Sequence, residues 1–277
     1  MINIKLKLND GCAIPQLGLG VWQIPAGRKC EAAVLAALEA GYRHIDTASF
    51  YGNEESVGAA VKASGIGREE IFVTTKLWNR DQGYESALSA FDESLKRLSL
   101  EYIDLYLIHW PGHNAGARLD SWRALTELHE GDQAKSIGVS NYEVRHLEEL
   151  LEKSSLVPTV NQIEFHPFIY DKQLSILEFC KAQGIVVEAY SPLNRGHNMN
   201  EPVLEGVARQ HGKSVVQVML RWAIQHGTVP IPKSAHPERI RENLEIFDFE
   251  LTKDEMHAVN QLGRSKSALP FYVKLIK

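Results

Sequence analysis

Cysteine is scarce in this chain: Cys12, Cys30 and Cys180 are odd in number, far apart and form no CxxC pair. That argues against a disulfide frame or a cysteine-based zinc site and fits a reducing compartment. No apolar run approaches the roughly 20 residues of a membrane helix. The opening, Met1 to Asp10, alternates apolar and polar residues and carries neither the apolar stretch nor the cleavage signal of a secretory leader. The expected location is therefore the cytoplasm. Neither sign of charge dominates, since 30 Lys and Arg against 35 Asp and Glu leave a net charge of −5. That balance argues against a general nucleic-acid or anionic-membrane surface. The segment Gly18-Leu19-Gly20-Val21-Trp22-Gln23 lacks the third glycine of a dinucleotide-binding fingerprint. Histidine pairs at the HxH spacing of barrel metallohydrolases are missing too. His44 is followed by Ile45-Asp46, His109 and His113 straddle Pro111-Gly112, and His166 stands alone, so no metal is expected.

What the chain does have is alternation. Ile2 to Leu8, the turn Asn9-Asp10-Gly11 and Cys12-Ala13-Ile14 predict an opening hairpin. Short β-rich runs then alternate with helical stripes. The clearest stripe is Tyr84, Leu88, Phe91, Leu95 and Leu98, stepping by four and three. Ser214 with Gln217, and Thr252 with Glu255, stand at capping-box spacing. Eight strands are predicted, with no linker or composition shift between them. The expected fold is an α/β (β/α)8 TIM barrel over residues 1–277, a single domain, with an N-terminal β-hairpin closing the bottom and two extra helices. A doubly wound sheet is the competitor, disfavoured by the incomplete glycine fingerprint.

Chemistry in such a barrel sits at the carboxyl ends of the strands. Those ends carry Trp22, Asp46, Lys76, His109, Ser140-Asn141, Gln162, Tyr190-Ser191 and Lys233-Ser234. Each alone could be a cap or a core residue, but a whole rim of donors, acceptors and stacking groups is harder to explain that way. Reducing a carbonyl requires a hydride at carbon and a proton at oxygen. A phenol can supply the proton, and an adjacent ammonium held by a carboxylate should make it more acidic. Tyr51, Lys76 and Asp46 provide these groups, and a neutral His109 could orient the carbonyl oxygen. Trp22, Phe50, Trp78 and Trp110 would wall the substrate pocket. The hydride must come from a cofactor. Ser140, Asn141 and Gln162 suit a nicotinamide carboxamide, and Tyr190 offers a stacking face. Pro237 at a helix start, with Lys233, Ser234 and Arg239 nearby, suits a 2′-phosphate, hence NADPH over NADH.

Several segments together resemble the aldo-keto reductase family. They are Gly41-Tyr42-Arg43-His44-Ile45-Asp46-Thr47-Ala48 with Tyr51-Gly52-Asn53-Glu54; Thr75-Lys76-Leu77-Trp78; Asp104 to Pro111; Ile137-Gly138-Val139-Ser140-Asn141; Asn161-Gln162; Ala189-Tyr190-Ser191-Pro192-Leu193; and Ile231-Pro232-Lys233-Ser234. They occur in family order, and the similarity runs from about Leu17 to Leu262. The chain is most similar to the bacterial 2,5-diketo-D-gluconate and methylglyoxal reductase branch. The resemblance implies NADPH bound in extended form and a tetrad of Asp46, Tyr51, Lys76 and His109 with Tyr51 as proton donor. It implies cofactor contacts from Ser191 and Leu193 as well. It places Glu242 and Asn243 near the adenine, Arg239 on the 2′-phosphate, and the protein as a monomer. His109, where steroid double-bond reductases of the family carry Glu, argues against that activity. Tyr142 and Ala235 depart from the residues usual in relatives. The loop His113 to Leu119 is short, which implies an open pocket for small aldehydes and ketones, and Phe271 and Tyr272 are candidates to fold over it. The rival reading is a cofactor-binding sensor on the same barrel without turnover, against which the intact tetrad speaks.

Overall fold

Residues 4–263 are described by the computed structural model of the chain; Phe271 and Tyr272 lie outside them. The turn at Asn9-Asp10-Gly11 folds β1 (Lys5–Lys7) back on β2 (Ala13–Pro15), antiparallel, with Leu6 opposite Ile14. Strand and helix then alternate: β3 (Leu19–Gly20), α1 (Arg28–Ala40), β4 (His44–Asp46), α2 (Glu54–Ala63), β5 (Phe72–Leu77), α3 (Tyr84–Leu98), β6 (Ile103–Ile108), α4 (Ala115–Glu130), β7 (Ala134–Ser140), α5 (Val144–Lys153), β8 (Val160–Glu164), α6 (Tyr170–Ala182), β9 (Val186–Tyr190), α7 (Pro202–His211), α8 (Val215–Gln225), β10 (Val229–Pro230), α9 (Pro237–Glu242) and α10 (Lys253–Asn260). Strands β3 to β10 lie parallel and in chain order, as right-handed strand–helix–strand units require.

The first and last of these strands meet. Gly18 N donates to Pro230 O at 3.1 Å and Gly20 N to Pro232 O at 3.2 Å, closing the barrel. An open doubly wound sheet is thereby ruled out. The seam is tight enough to need glycine. A Cβ on Gly20 would lie 2.9 Å from Ile231 O, and one on Gly18 would lie 2.6 Å from His44 Nδ1.

Local sequence explains the helices. In α3 the stripe turns Phe91 and Leu98 fully inward, and the chain leaves the helix at Ser99 with φ of 52°. Both expected capping boxes form, Ser214 with Gln217 on α8 and Thr252 with Glu255 on α10. Each such cap contributes about 1 kcal/mol. Among the described residues two helices exceed the eightfold repeat, one between β9 and β10 and one after α9. Among the described residues no helix is long and apolar enough to cross a membrane.

The barrel interior is layered because side chains alternate along each strand. The hairpin drives Leu8 and Ile14 against Phe72, Leu105, Leu107, Val160 and Val229, a dry plug at the amino end. Higher up the interior turns polar: His44, Thr74 and Glu188, then Asp46, Lys76 and Gln162, are all 2% exposed or less. Polar groups are buried this thoroughly only when paired, and their pairing makes the site.

Candidate active site

Asp46 and Lys76 leave neighbouring strands with Asp46 opposite Thr74, two residues before Lys76 on the same face. Lys76 Nζ donates to Asp46 Oδ1 and Oδ2 at 2.8 and 2.7 Å, to Thr47 O at 2.8 Å and to the Tyr51 hydroxyl at 3.3 Å. The short 3-10 turn Ser49–Tyr51 brings Tyr51 back over the strand ends. Ser49 Oγ fastens that turn by donating to Lys76 O at 2.9 Å. The His109 ring stands edge-on to Tyr51, with centroids 5.7 Å apart. Sequence reasoning named these four residues, and the fold brings them together at one point.

Their electrostatics differ from expectation in one respect. Lys76 was expected to make the Tyr51 phenol more acidic. Instead burial first, then the Asp46 and Glu188 carboxylates, push it well above the usual phenol range. The Lys76 charge is already spent on Asp46, so desolvation decides the sign. Burial also pushes the Asp46 carboxyl upward, opposed by Lys76 and by the hydrogen bonds it accepts. His109 is lowered well below the usual imidazole range by burial and by Lys76. That direction favours a neutral His109 ring at neutral pH. Its backbone carbonyl accepts from Asn141 Nδ2 at 2.9 Å.

Above this point opens a cavity of about 720 Å³. Aromatic groups wall one side. Phe50 stacks on Trp78 with centroids 3.9 Å apart and remains 45% exposed. Trp110 packs among Trp22, Trp78 and Tyr190. Its loop is pinned from behind, where Gln82 Nε2 donates to Trp110 O at 2.7 Å and Arg118 Nη1 to Pro111 O at 2.9 Å.

Ser140, Asn141, Gln162, Tyr190, Ser191 and Leu193 line the same cavity. Tyr190 donates to Asn141 Oδ1 at 2.8 Å, and Asn141 Nδ2 also donates to Ser140 Oγ at 3.0 Å. Ser140 Oγ in turn donates to Gln162 O at 2.9 Å. At the far end lie Lys233, Ser234, Arg239, Glu242 and Asn243. Lys233 is lowered by burial and by the nearby charges of Lys29 and Arg195. Lys29, Arg195, Lys233 and Arg239 gather in one cleft, an arrangement that suits an anion. Among the described residues, those assigned from the sequence to catalysis, cofactor and substrate pocket thus line this cavity, except Lys76, which lies beneath its floor; Pro237 is not among the lining residues.

Some lining residues escaped sequence reasoning. Arg195 reaches across the cavity to donate to Gln23 Oε1 at 3.1 Å and stands 5.1 Å from the Trp22 ring centre. It belongs to an irregular loop, with φ of 55°, and no periodic pattern marks it. Lys29, Met199 and Val216 were likewise unmarked. Glu188, buried below the floor, left a legible signal: a carboxylate inside the apolar run Val186-Val187-Glu188-Ala189, in phase with Tyr190.

The model of the aldo/keto reductase family matches residues 16–264. The glyoxal reductase of Bacillus subtilis (strain 168) is 49% identical over 265 residues, covering 96% of this chain and 95% of that protein. A 9,11-endoperoxide prostaglandin H2 reductase of Trypanosoma cruzi (strain CL Brener) is 48% identical, covering 94% and 92%. Among solved structures, the aldo/keto reductase of Brucella melitensis superposes with a TM-score of 0.89 at 51% identity, covering 94% of this chain and 99% of that one. A Bombyx mori aldo-keto reductase in complex with NADP superposes at 0.91 and 38% identity, covering 99% and 97%. With its closed barrel and its polar floor, the chain belongs to the aldo/keto reductase family.

Proposed function

We propose that the chain reduces small aldehydes and ketones, dicarbonyls and keto-sugars among them, to alcohols with NADPH. The observation that carries this reading is the Lys76 ammonium, held by Asp46 and reaching the Tyr51 hydroxyl at 3.3 Å, on the floor of an aromatic-walled cavity. The residues present fit the cofactor. Ser140, Asn141 and Gln162 would meet the carboxamide, Tyr190 the ring, Ser191 and Leu193 the middle of the molecule. Lys233, Ser234 and Arg239 would hold the 2′-phosphate, with Glu242 and Asn243 beside the adenine. The structure of the Bombyx mori relative in complex with NADP supports the same choice.

When bound, NADPH supplies the hydride. The chain supplies everything else. Tyr51 keeps its proton at neutral pH because its pKa is raised, and releases it only to a strong base, the alkoxide oxygen that forms as the carbonyl carbon is reduced. The phenolate left behind faces the Lys76 ammonium, which Asp46 holds in place. Neutral His109 has one N–H to orient the carbonyl oxygen. Trp22, Phe50, Trp78 and Trp110 keep water away from the reacting carbon.

Mixing the protein with NADPH and methylglyoxal tests this. The expected result is loss of reduced-nicotinamide absorbance matched by alcohol formed. Tight NADPH binding with no such loss, across a panel of aldehydes and ketones, would sink the enzyme reading and leave a cofactor sensor on the same barrel.

A further inference from the structure

Beneath the tetrad lies a buried carboxyl group that the mechanism above does not use. Glu188 is fully buried on β9. Its Oε2 accepts from Gln162 Nε2 at 2.5 Å, and the same nitrogen donates to Asp46 Oδ2 at 2.8 Å. An amide nitrogen has two hydrogens. Both are spent on carboxyl groups, and the Asp46 carboxylate, ion-paired with Lys76, can only accept, so the Gln162 amide has one orientation here. Its nitrogen points down between β4 and β9, leaving its oxygen for the cavity that Gln162 lines.

We propose that Glu188 is a positioning residue: with Asp46 it clamps the Gln162 amide so that the amide oxygen stays turned upward as an acceptor for the NH2 group of a nicotinamide carboxamide. The proposal rests on the NADPH reading given above. A chain without Glu188 would leave one Gln162 hydrogen unpaired and the amide held by Asp46 alone.

Charge balance explains how two carboxyl groups share one amide. The groups facing Glu188 are His44 and Asp46 from β4, Lys76 from β5 and Gln162 from β8; Thr74 of β5 is bonded to His44, and Val229, the neighbour of Glu188 on β10, is apolar. Tyr51 lies close enough for the Glu188 charge to raise its phenol. Only one of these groups, Lys76, is a cation, and it is bonded to Asp46. A second carboxylate in this dry space has no counter-charge. Burial, then the Asp46 charge, accordingly push Glu188 up to about 8. Its protonated oxygen faces His44 Nε2 at 3.3 Å, and His44 is itself held neutral. Glu188 is thus a neutral acid that accepts from Gln162 with one oxygen and keeps a proton on the other.

The test compares wild type with Glu188→Met, which keeps volume but removes the acceptor, and with Glu188→Gln, which keeps the acceptor and a donor. Affinity is measured for NADPH and for adenosine 2′,5′-bisphosphate, which reaches only the cationic end of the cavity. Glu188→Met is expected to bind NADPH about tenfold more weakly, the loss typical of one buried hydrogen bond, and the bisphosphate as wild type does. Glu188→Gln is expected to match wild type on both. Unchanged NADPH affinity in Glu188→Met, or equal losses on both ligands, would overturn the clamp. Should Glu188→Met fail to fold, heteronuclear NMR of the Gln162 side-chain amide decides. That signal should shift through about pH 8 in wild type and stay level in Glu188→Gln; a level wild-type signal overturns the proposal. If wild type binds no NADPH at all, the reductase reading fails while the NMR comparison still judges the clamp.

Discussion

Lys76 grips Asp46 through both carboxylate oxygens, at 2.7 and 2.8 Å, and neither residue is more than 2% exposed. Such a pair is costly to create but costlier to break, since removing one partner strands the other charge in a dry interior. Lys76→Met should therefore lower unfolding free energy by about 3–5 kcal/mol. Adding Asp46→Asn should recover a clear part of that loss. Urea denaturation of the two single variants and the double variant gives the coupling; additive losses would mean that the ion pair is not the stabilising unit.

Tyr51 makes a narrower prediction. Tyr51→Phe removes the transferable proton and one hydrogen bond to Lys76 while leaving the ring in place. Turnover should fall by about 10²- to 10⁴-fold, the range for removing a general acid. NADPH affinity should stay within about threefold of wild type, because no cofactor contact is assigned to the hydroxyl. Residual turnover within tenfold of wild type would assign the proton to another group.

The cationic end of the cavity separates the two nicotinamide cofactors. Lys233 and Arg239 line that end, and charge-assisted hydrogen bonds contribute about 1.5–3 kcal/mol each. Arg239→Ala and Lys233→Met should each weaken NADPH binding by roughly ten- to hundredfold and leave NADH binding nearly unchanged. Fluorescence titration with both cofactors checks this; equal losses would place the 2′-phosphate elsewhere.

Much of this site was legible because a barrel reduces the problem to one question: what stands at each strand's carboxyl end. Asp46, Lys76, His109 and Gln162 answer it by position alone. Side-chain period along a strand then tells which residues face inward, and Glu188 is in phase with Tyr190. What period cannot tell is which distant strand supplies the partner. Glu188 meets His44 and Gln162 only because β4, β8 and β9 curl round one axis. Tyr51 shows the same limit in another form. The sign of the Lys76 effect follows from charge, but burial outweighs it, and burial is a property of the closed barrel. Arg195 was beyond reach, since its loop conformation is set by packing rather than by any repeat.

The stacked buried groups also predict how stability varies with pH. Burial, helped by Lys76, lowers His44 from 6.5 to about 3. Between those values the unfolded chain binds the proton and the folded chain does not. The His44 contribution is therefore complete above about 6.5 and is lost as pH falls toward about 3. His109, lowered in the same way, adds to this acid limb. Glu188 has the opposite sign. Raised from 4.5 to about 8, it holds a proton in the folded chain that the unfolded chain has released. Its contribution is complete below about 4.5 and is lost as pH rises through about 8. The two slopes oppose each other between about 4.5 and 6.5, each limited to about 1.4 kcal/mol per pH unit. From about 6.5 to 8 only the Glu188 slope remains of the two. Urea unfolding of wild type should thus show stability declining across that interval, and Glu188→Gln should flatten the decline while leaving the acid limb in place. If the two curves run parallel from pH 6.5 to 8, the buried proton does not reside on Glu188.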